Sequence, residues 1–344
     1  MQEPFPVLTR LYMRSYREDT SVLTTKFLGG SAPHLQAIAL HRIPFPALPT
    51  LLSSTSELFA LNLFDLPMPS YISPERMVAC SATLPRLEVF SITFRDDALR
   101  PDQINPPPAT RSVLPALTKF LFGGAFEYLE NLVAQIDTPR LKRVTINYLD
   151  PPDNFQVVQL SDFINRSIGP ELAPSRHAQV YFQFDRVTFT LSRDHETYQG
   201  WDRRSVKTII HFWPQQPDVA EVLSQFSAAL CTVVYLELDA ELDESDHSGG
   251  VYDADWLLLL NQHPVVRTLY VYQELATPVS LALEEATSET ISEALPSLGL
   301  ICLEGEPASS LEKIVAIRRF SDHPITVVET TDEFGERLES YVSR

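Results

Sequence analysis

Apolar residues along this chain keep returning to one short rhythm. A proline and one spacer lead to an apolar anchor. Two spacers, an apolar residue, one spacer and a last apolar residue follow. The phrase reads "FPVLTRLYM" at 5–13, "APHLQAIAL" at 32–40, "LPRLEVFSI" at 84–92, "LPALTKFLF" at 114–122 and "TPRLKRVTI" at 138–146. "TSELFALNL" at 55–63 fits with Ser56 in place of proline. The final pair of apolar residues alternates as a half-buried strand does, so Val144 and Ile146 face the core while Thr145 faces away. The anchor, Leu141 in that copy, goes into the core just before the strand. Proline ahead of it suits a turn, where its missing N–H costs little.

Between the phrases lie stretches with helical character. "SPERMVACSATL" (73–84) opens on the N-cap Ser73 with Pro74 in the first turn. "AFEYLENLVAQI" (125–136) sets Phe126, Leu129, Leu132, Val133 and Ile136 on one stripe. Helices are also expected in 21–30, closed by its glycines, and in 217–230, 253–263 and 309–320. Such connections return the chain to the next parallel strand.

The first anchors, Leu8, Leu35, Leu58, Leu87, Leu117 and Leu141, stand 27, 23, 29, 30 and 24 residues apart. Later copies begin at Leu230, His263 and Leu295, with anchors Val233, Val266 and Leu298, so their spacing is 33 and 32. Periods of roughly 20–29 residues with slight overruns predict an α/β leucine-rich-repeat solenoid, a curved parallel sheet with helices on its convex side. The expected organisation is a single domain over 1–344. It has regular repeats at about 5–150, an irregular middle at about 151–230 and longer repeats at about 231–328. In the middle, "AQVYFQFDRVTFTLS" (178–192) reads as two adjacent strands around Asp185, and "VKTIIHFW" (206–213) as a third. The stretch 100–111 is proline-rich and is expected as a loop; 239–255 is expected as a long acidic loop.

A solenoid presents the residues between its core positions on the concave face. Two and four places after each anchor stand Arg10 and Tyr12, Lys119, Arg143, Tyr235 and Glu237, and Tyr270; Tyr272, Asp239 and Glu304 lie one step further. These predict a protein-binding face, basic at one end and acidic and tyrosine-bearing at the other. Its named candidates are Arg10, Tyr12, Lys119, Arg143, Tyr235, Glu237, Tyr270 and Tyr272. Tyrosine and arginine are frequent interface anchors.

Charge sharpens this picture. The net charge is −18. Residues 1–172 hold 15 Lys/Arg and 17 Asp/Glu, hence −2; residues 173–344 hold 12 and 28, hence −16. Phosphate binding needs a basic footprint, so neither nucleic acid nor an anionic membrane is expected as a partner. No run approaches the roughly 18 apolar residues of a membrane span, and the N-terminus lacks the pattern of a signal peptide. A cytoplasmic or nuclear setting is expected. The three cysteines, Cys80, Cys231 and Cys302, are sparse and sit in apolar surroundings, so they are expected as buried small hydrophobes rather than a disulfide or zinc set.

Chemistry-bearing motifs do not emerge. There is no Gly-rich phosphate loop, G-x-S-x-G or H-E-x-x-H, and the eight histidines are scattered. Asp243, Asp246, Asp253 and Asp255 invite a calcium reading. Counting from Asp243, however, position 6 is Ser248 and position 12 is Ala254, where an EF-hand needs Gly and Glu. No enzyme, cofactor or metal is expected.

The wording of 27–67, 71–94 and 106–146 resembles the leucine-rich-repeat region of the F-box protein family of mushroom-forming fungi. The resemblance covers most of the chain and is densest over 20–150. It implies a substrate-receptor role, in which an F-box docks to an SCF-type ubiquitin ligase and the repeats hold the target. The first phrase begins at Phe5, ahead of which no F-box fits, so ligase subunits are expected as partners only where an F-box is also present. The alternative reading is a structural scaffold or decoy without a ubiquitin link.

Overall fold

A computed structural model describes residues 5–16, 22–95, 108–148, 156–167, 177–183, 186–192, 207–212, 219–226, 230–241, 255–261, 263–285, 295–304, 311–319 and 324–330. The protein is a mixed α/β fold dominated by parallel strands. It divides into two compact units, Met1–Leu172 and Ala173–Arg344.

The repeated phrase has a repeated geometry. The residue before the proline accepts a hydrogen bond from the anchor three places later: Leu35 N–H to Ala32 O, Leu141 N–H to Thr138 O, Val266 N–H to His263 O and Leu298 N–H to Leu295 O, each 3.1 Å. Proline therefore holds the second place of a four-residue turn, where its fixed φ is favourable. The next two N–H groups converge on one carbonyl of the preceding strand. Lys142 and Arg143 both donate to Thr118 O, at 2.9 and 3.0 Å, and Gly299 and Leu300 both donate to Arg267 O. Turn and ladder together fix where each strand begins, so the anchors Leu35, Leu58, Leu117, Val266 and Leu298 are fully buried.

Unit 1 contains β1 (Arg10–Arg14), β2 (Ala37–His41), β3 (Ala60–Leu66), β4 (Val89–Phe94), β5 (Ser112–Val113), β6 (Lys119–Gly124), β7 (Ile136–Asp137) and β8 (Arg143–Tyr148). The main sheet runs β1-β2-β3-β4-β6-β8, every pair parallel. The two short strands β5 and β7 pair separately and were not expected. Its helices are α1 (Leu48–Leu52), α2 (Pro74–Ala82), α3 (Phe126–Val133) and α4 (Val158–Ser167). Ser73 caps α2 as its sequence predicts, accepting from Arg76 N–H at 3.4 Å.

The core of unit 1 is rich in aromatic rings. Tyr128 of α3 is fully buried, donates to Ile72 O at 2.8 Å and lies 4.7 Å, ring to ring, from Phe94. Gly124 belongs to the same wall. Its φ is +154°, and a Cβ there would stand 2.8 Å from Phe94 Cδ2. Behind α3, the Glu130 carboxylate caps α4, accepting from Gln159 N–H at 2.8 Å and Leu160 N–H at 2.9 Å.

Unit 2 contains β9 (His177–Gln183), β10 (Arg186–Ser192), β11 (Lys207–Phe212), β12 (Tyr235–Glu241), β13 (Thr268–Val271), β14 (Leu300–Glu304) and β15 (Thr326–Thr330). Their order is β11-β10-β9-β12-β13-β14-β15. β9, β10 and β11 fall where the strand patterning predicts strands, but they pair as an antiparallel meander rather than in parallel; the pairs β9-β12, β12-β13, β13-β14 and β14-β15 are parallel. Its helices are α5 (Val219–Ser224), α6 (Trp256–Asn261), α7 (Gln273–Glu285) and α8 (Glu312–Arg318).

Three expectations need correction. Among the described residues, the stretch expected as a helix over 21–30 holds only a 3-10 turn, Phe27–Gly30, because Leu28 and Gly29 take positive φ. Asp239, Ala240 and Glu241 are not loop; they complete β12, paired with Tyr181, Phe182 and Gln183. Asp255 caps α6, accepting from Leu258 N–H at 2.9 Å. Cys231 is exposed and Cys80 half-buried, so only Cys302 packs as a small hydrophobe; none of the three forms a disulfide. The calcium candidates Asp243, Asp246 and Asp253 lie outside the described residues, as does Asp185. Among the described residues, no helix is long and apolar enough to cross a membrane.

Candidate functional site

Strand register sorts the candidate residues by face. In unit 1, Arg10, Ala37, Ala60, Val89, Lys119 and Arg143 form one row across the sheet. Tyr12, Ala39, Asn62, Ser91, Leu121 and Thr145 form the next. Alternation places both rows on the face opposite the buried Ile38, Leu61, Phe90, Phe120 and Val144. Lys119 and Arg143 are lateral neighbours. Arg10 and Tyr12 are set on the edge strand β1, four strand spacings from Lys119. Arg10, Tyr12 and Lys119 are exposed and Arg143 is half-buried.

In unit 2 the same alternation gathers the four remaining candidates. Tyr235 pairs with Thr268, and Glu237 with Tyr270. Tyr272 follows β13 and donates its hydroxyl to Glu237 Oε1 at 2.6 Å. Glu237 is 7% exposed and Tyr270 9%. Tyr235 and Tyr272 are half-buried, so they are the tyrosines within reach of a partner.

Two members of this cluster were not named from the sequence. His177 of β9 sets Nε2 2.9 Å from Glu237 Oε2, and its Nδ1 lies 3.3 Å from Ser192 Oγ of β10. With Nε2–H donating to the carboxylate, Nδ1 accepts from the Ser192 hydroxyl. The alternation of "HAQVYFQ" does place His177 on the outward face. What it hides is the parallel pairing of β9 with β12, which joins residues 60 apart. Further along β12, Tyr181 Oη and Gln183 Nε2 donate to Glu241 Oε2, at 2.9 and 3.2 Å.

The electrostatics follow from this crowding. Burial, and then the charge of Glu237 with smaller contributions from Glu274 and Glu304, pushes the Asp239 carboxyl up to about 7. Burial is also the main reason the Tyr270 and Tyr272 hydroxyls are raised; the Glu237 charge and its hydrogen bond add to the effect at Tyr272. The Cys302 thiol is pushed up to about 11 by burial. Ser192, His177 and Glu237 form a hydroxyl–imidazole–carboxylate string. Ser192 is buried, and the carboxylate already takes the Tyr272 hydroxyl. The string braces a buried carboxylate between three strands. Among the described residues, no three His, Cys, Asp or Glu side chains are grouped to hold a metal ion.

No protein-family model matches the chain, and no curated protein matches it.

Proposed function

We propose that the two units are leucine-rich-repeat arrays and that the chain is a non-enzymatic protein-binding module. Its task would be target recognition related to that of F-box substrate receptors, in the cytoplasm or nucleus. The repeat reading is supported by the turn that returns at each anchor from Leu35 to Leu298 and by the shared carbonyl that follows it at Leu35, Leu58, Leu87, Leu117, Leu141, Val266 and Leu298. The binding reading is carried by one observation: Arg10, Tyr12, Lys119 and Arg143 stand on the outward rows of unit 1, where no packing role accounts for them. Tyrosine and arginine on a rigid sheet lose little entropy when a partner orders them. The burial of Ser192 favours a bracing role for the His177 string over a catalytic one.

The resemblance to F-box proteins supports ligase subunits as indirect partners, reached through an F-box. Affinity capture from an extract of a mushroom-forming fungus tests the reading. The expected result is a stoichiometric protein retained by the wild type and lost with Arg143→Glu; SCF-type subunits recovered with it add the ligase link. Equal retention of every protein by the wild type, Arg143→Glu and Tyr235→Ala would remove the basis for a binding face.

A further inference from the structure

The outward face of unit 1 has a charge pattern that the binding reading does not by itself explain. Its cations stand in two walls. Arg10 and Arg14 project from β1, with Tyr12 between them; Lys119 and Arg143 project from β6 and β8. Among the described residues none of the four pairs with a carboxylate. Arg14 lies instead over the Tyr16 ring, 4.8 Å from its centroid. Asp65, at the end of β3, is already held by His41 at 3.4 Å and Arg42 at 3.3 Å.

Between the walls, β2, β3 and β4 present Ala37, Ala39, Ala60, Asn62, Val89 and Ser91, and the floor rises to the His41 and Phe64 rings in the row of Arg14. Four strand spacings separate β1 from β6, about 19 Å at about 4.8 Å each. A single α-helix is about 10–12 Å across with its side chains. Laid along the strands, it leaves about 4 Å on either side, the span of a carboxylate–guanidinium or carboxylate–ammonium contact. An extended strand in the same recess reaches only one wall.

We propose that this face docks an acidic α-helical segment of a partner protein, with a small-residue or short apolar stripe on the floor and carboxylates on both flanks meeting Arg10 and Arg14 on one side and Lys119 and Arg143 on the other. The proposal rests on the reading that the outward face is the binding surface, and it names the chemistry of the occupant.

The test uses the full chain and defined probes. These are a synthetic helical peptide of about 20 residues with Glu on both flanks of an Ala stripe, its Gln counterpart, and a single-stranded oligonucleotide. Calorimetry or fluorescence anisotropy measures each at about 50 mM and 500 mM salt. The expected result is binding of the Glu peptide alone, weakened by salt. Arg10→Glu/Arg14→Glu and Lys119→Glu/Arg143→Glu should each weaken it about tenfold, while Glu312→Gln on α8 of unit 2 leaves it unchanged. If a reversal variant loses its circular dichroism, the Gln versions of the same pairs replace it. Absent binding, equal binding of the Gln peptide, indifference to both double variants, or equal binding of the oligonucleotide through the same residues would overturn the proposal. If the peptide fails while the captured partner still depends on Arg143, the occupant's chemistry falls and the binding face stands. If neither depends on Arg143, both fall.

Discussion

His263 occupies a place that the other repeats fill differently, and replacing it gives the sharpest stability test. It is the residue before proline in the phrase at 263–271, the first place of the recurring turn. Equivalent places hold Ala32, Thr55, Leu84, Leu114, Thr138, Leu230 and Leu295, all buried, and the exposed Phe5 in the edge repeat. Thr55 and Thr138 satisfy their hydroxyls, on Leu52 O and Ser167 Oγ. His263 is 0% exposed, and neither ring nitrogen has a partner among the described residues.

Burial pushes its pKa down from the ordinary 6.5 to about 4. The folded state therefore resists a proton that the unfolded chain accepts. Stability is complete above about pH 6.5 and is lost as pH falls from there toward 4. The full shift corresponds to about 3 kcal/mol, of which about 2 kcal/mol is already lost at pH 5. His263→Leu removes this slope. At neutral pH it also replaces two unsatisfied buried atoms with the side chain used at Leu84, Leu114, Leu230 and Leu295, a gain of about 1–3 kcal/mol.

All three tryptophans, Trp201, Trp213 and Trp256, lie in unit 2, so tryptophan fluorescence during urea unfolding reports that unit. The measurement is the difference between wild type and variant at pH 7.5, 6 and 5, in which the many shared carboxylates cancel. The variant's advantage should widen by about 2 kcal/mol between the two ends of that range. A constant difference, or a less stable variant at every pH, would refute the reasoning.

Three further outcomes follow from single contacts. Glu130→Ala strips the cap from α4 and leaves two N–H groups, Gln159 and Leu160, without their acceptor. It should cost about 2–5 kcal/mol in urea unfolding, and Glu130→Gln less, because one amide oxygen keeps one bond. The Glu130 carboxyl is also pushed up to about 7 by burial, so its ionisation opposes folding; that contribution appears as pH rises from about 4.5 to 7 and should vanish in Glu130→Gln. Gly124→Ala drives a methyl against the Phe94 ring at an unfavourable φ and should cost about 1–3 kcal/mol or more, read as a lower midpoint in thermal unfolding of unit 1. Tyr272→Phe deletes the hydroxyl that holds Glu237 and should destabilise unit 2 by about 1–3 kcal/mol, seen in the same tryptophan signal.

Much of the backbone plan is written in local pattern. The alternation after each anchor placed β2, β4, β6 and β8, and the proline placed the turn that starts them. Helix α7 is not legible in the local pattern, because Pro278 sits inside Gln273–Glu285 and reads as a break. The end of β12 was hidden by composition, since Asp239 and Glu241 look like the start of an acidic loop until β9 pairs with them. The face of each candidate side chain was legible from period two. Its neighbours were not, because register between distant strands is a tertiary property. His177 and Ser192 therefore came to Glu237 only with the fold, and so did the finding that Glu237 and Tyr270 are shielded while Arg10, Lys119 and Tyr12 stand free of the core.

The most direct test of the binding-face account is the affinity of the captured partner for three proteins: wild type, Arg143→Glu and Tyr235→Ala. Titration calorimetry with matched circular dichroism spectra should show one or both variants weakened by about 10-fold or more, as expected for interface anchors. Affinities equal to wild type in both folded variants would contradict the claim that these sheet faces carry the function.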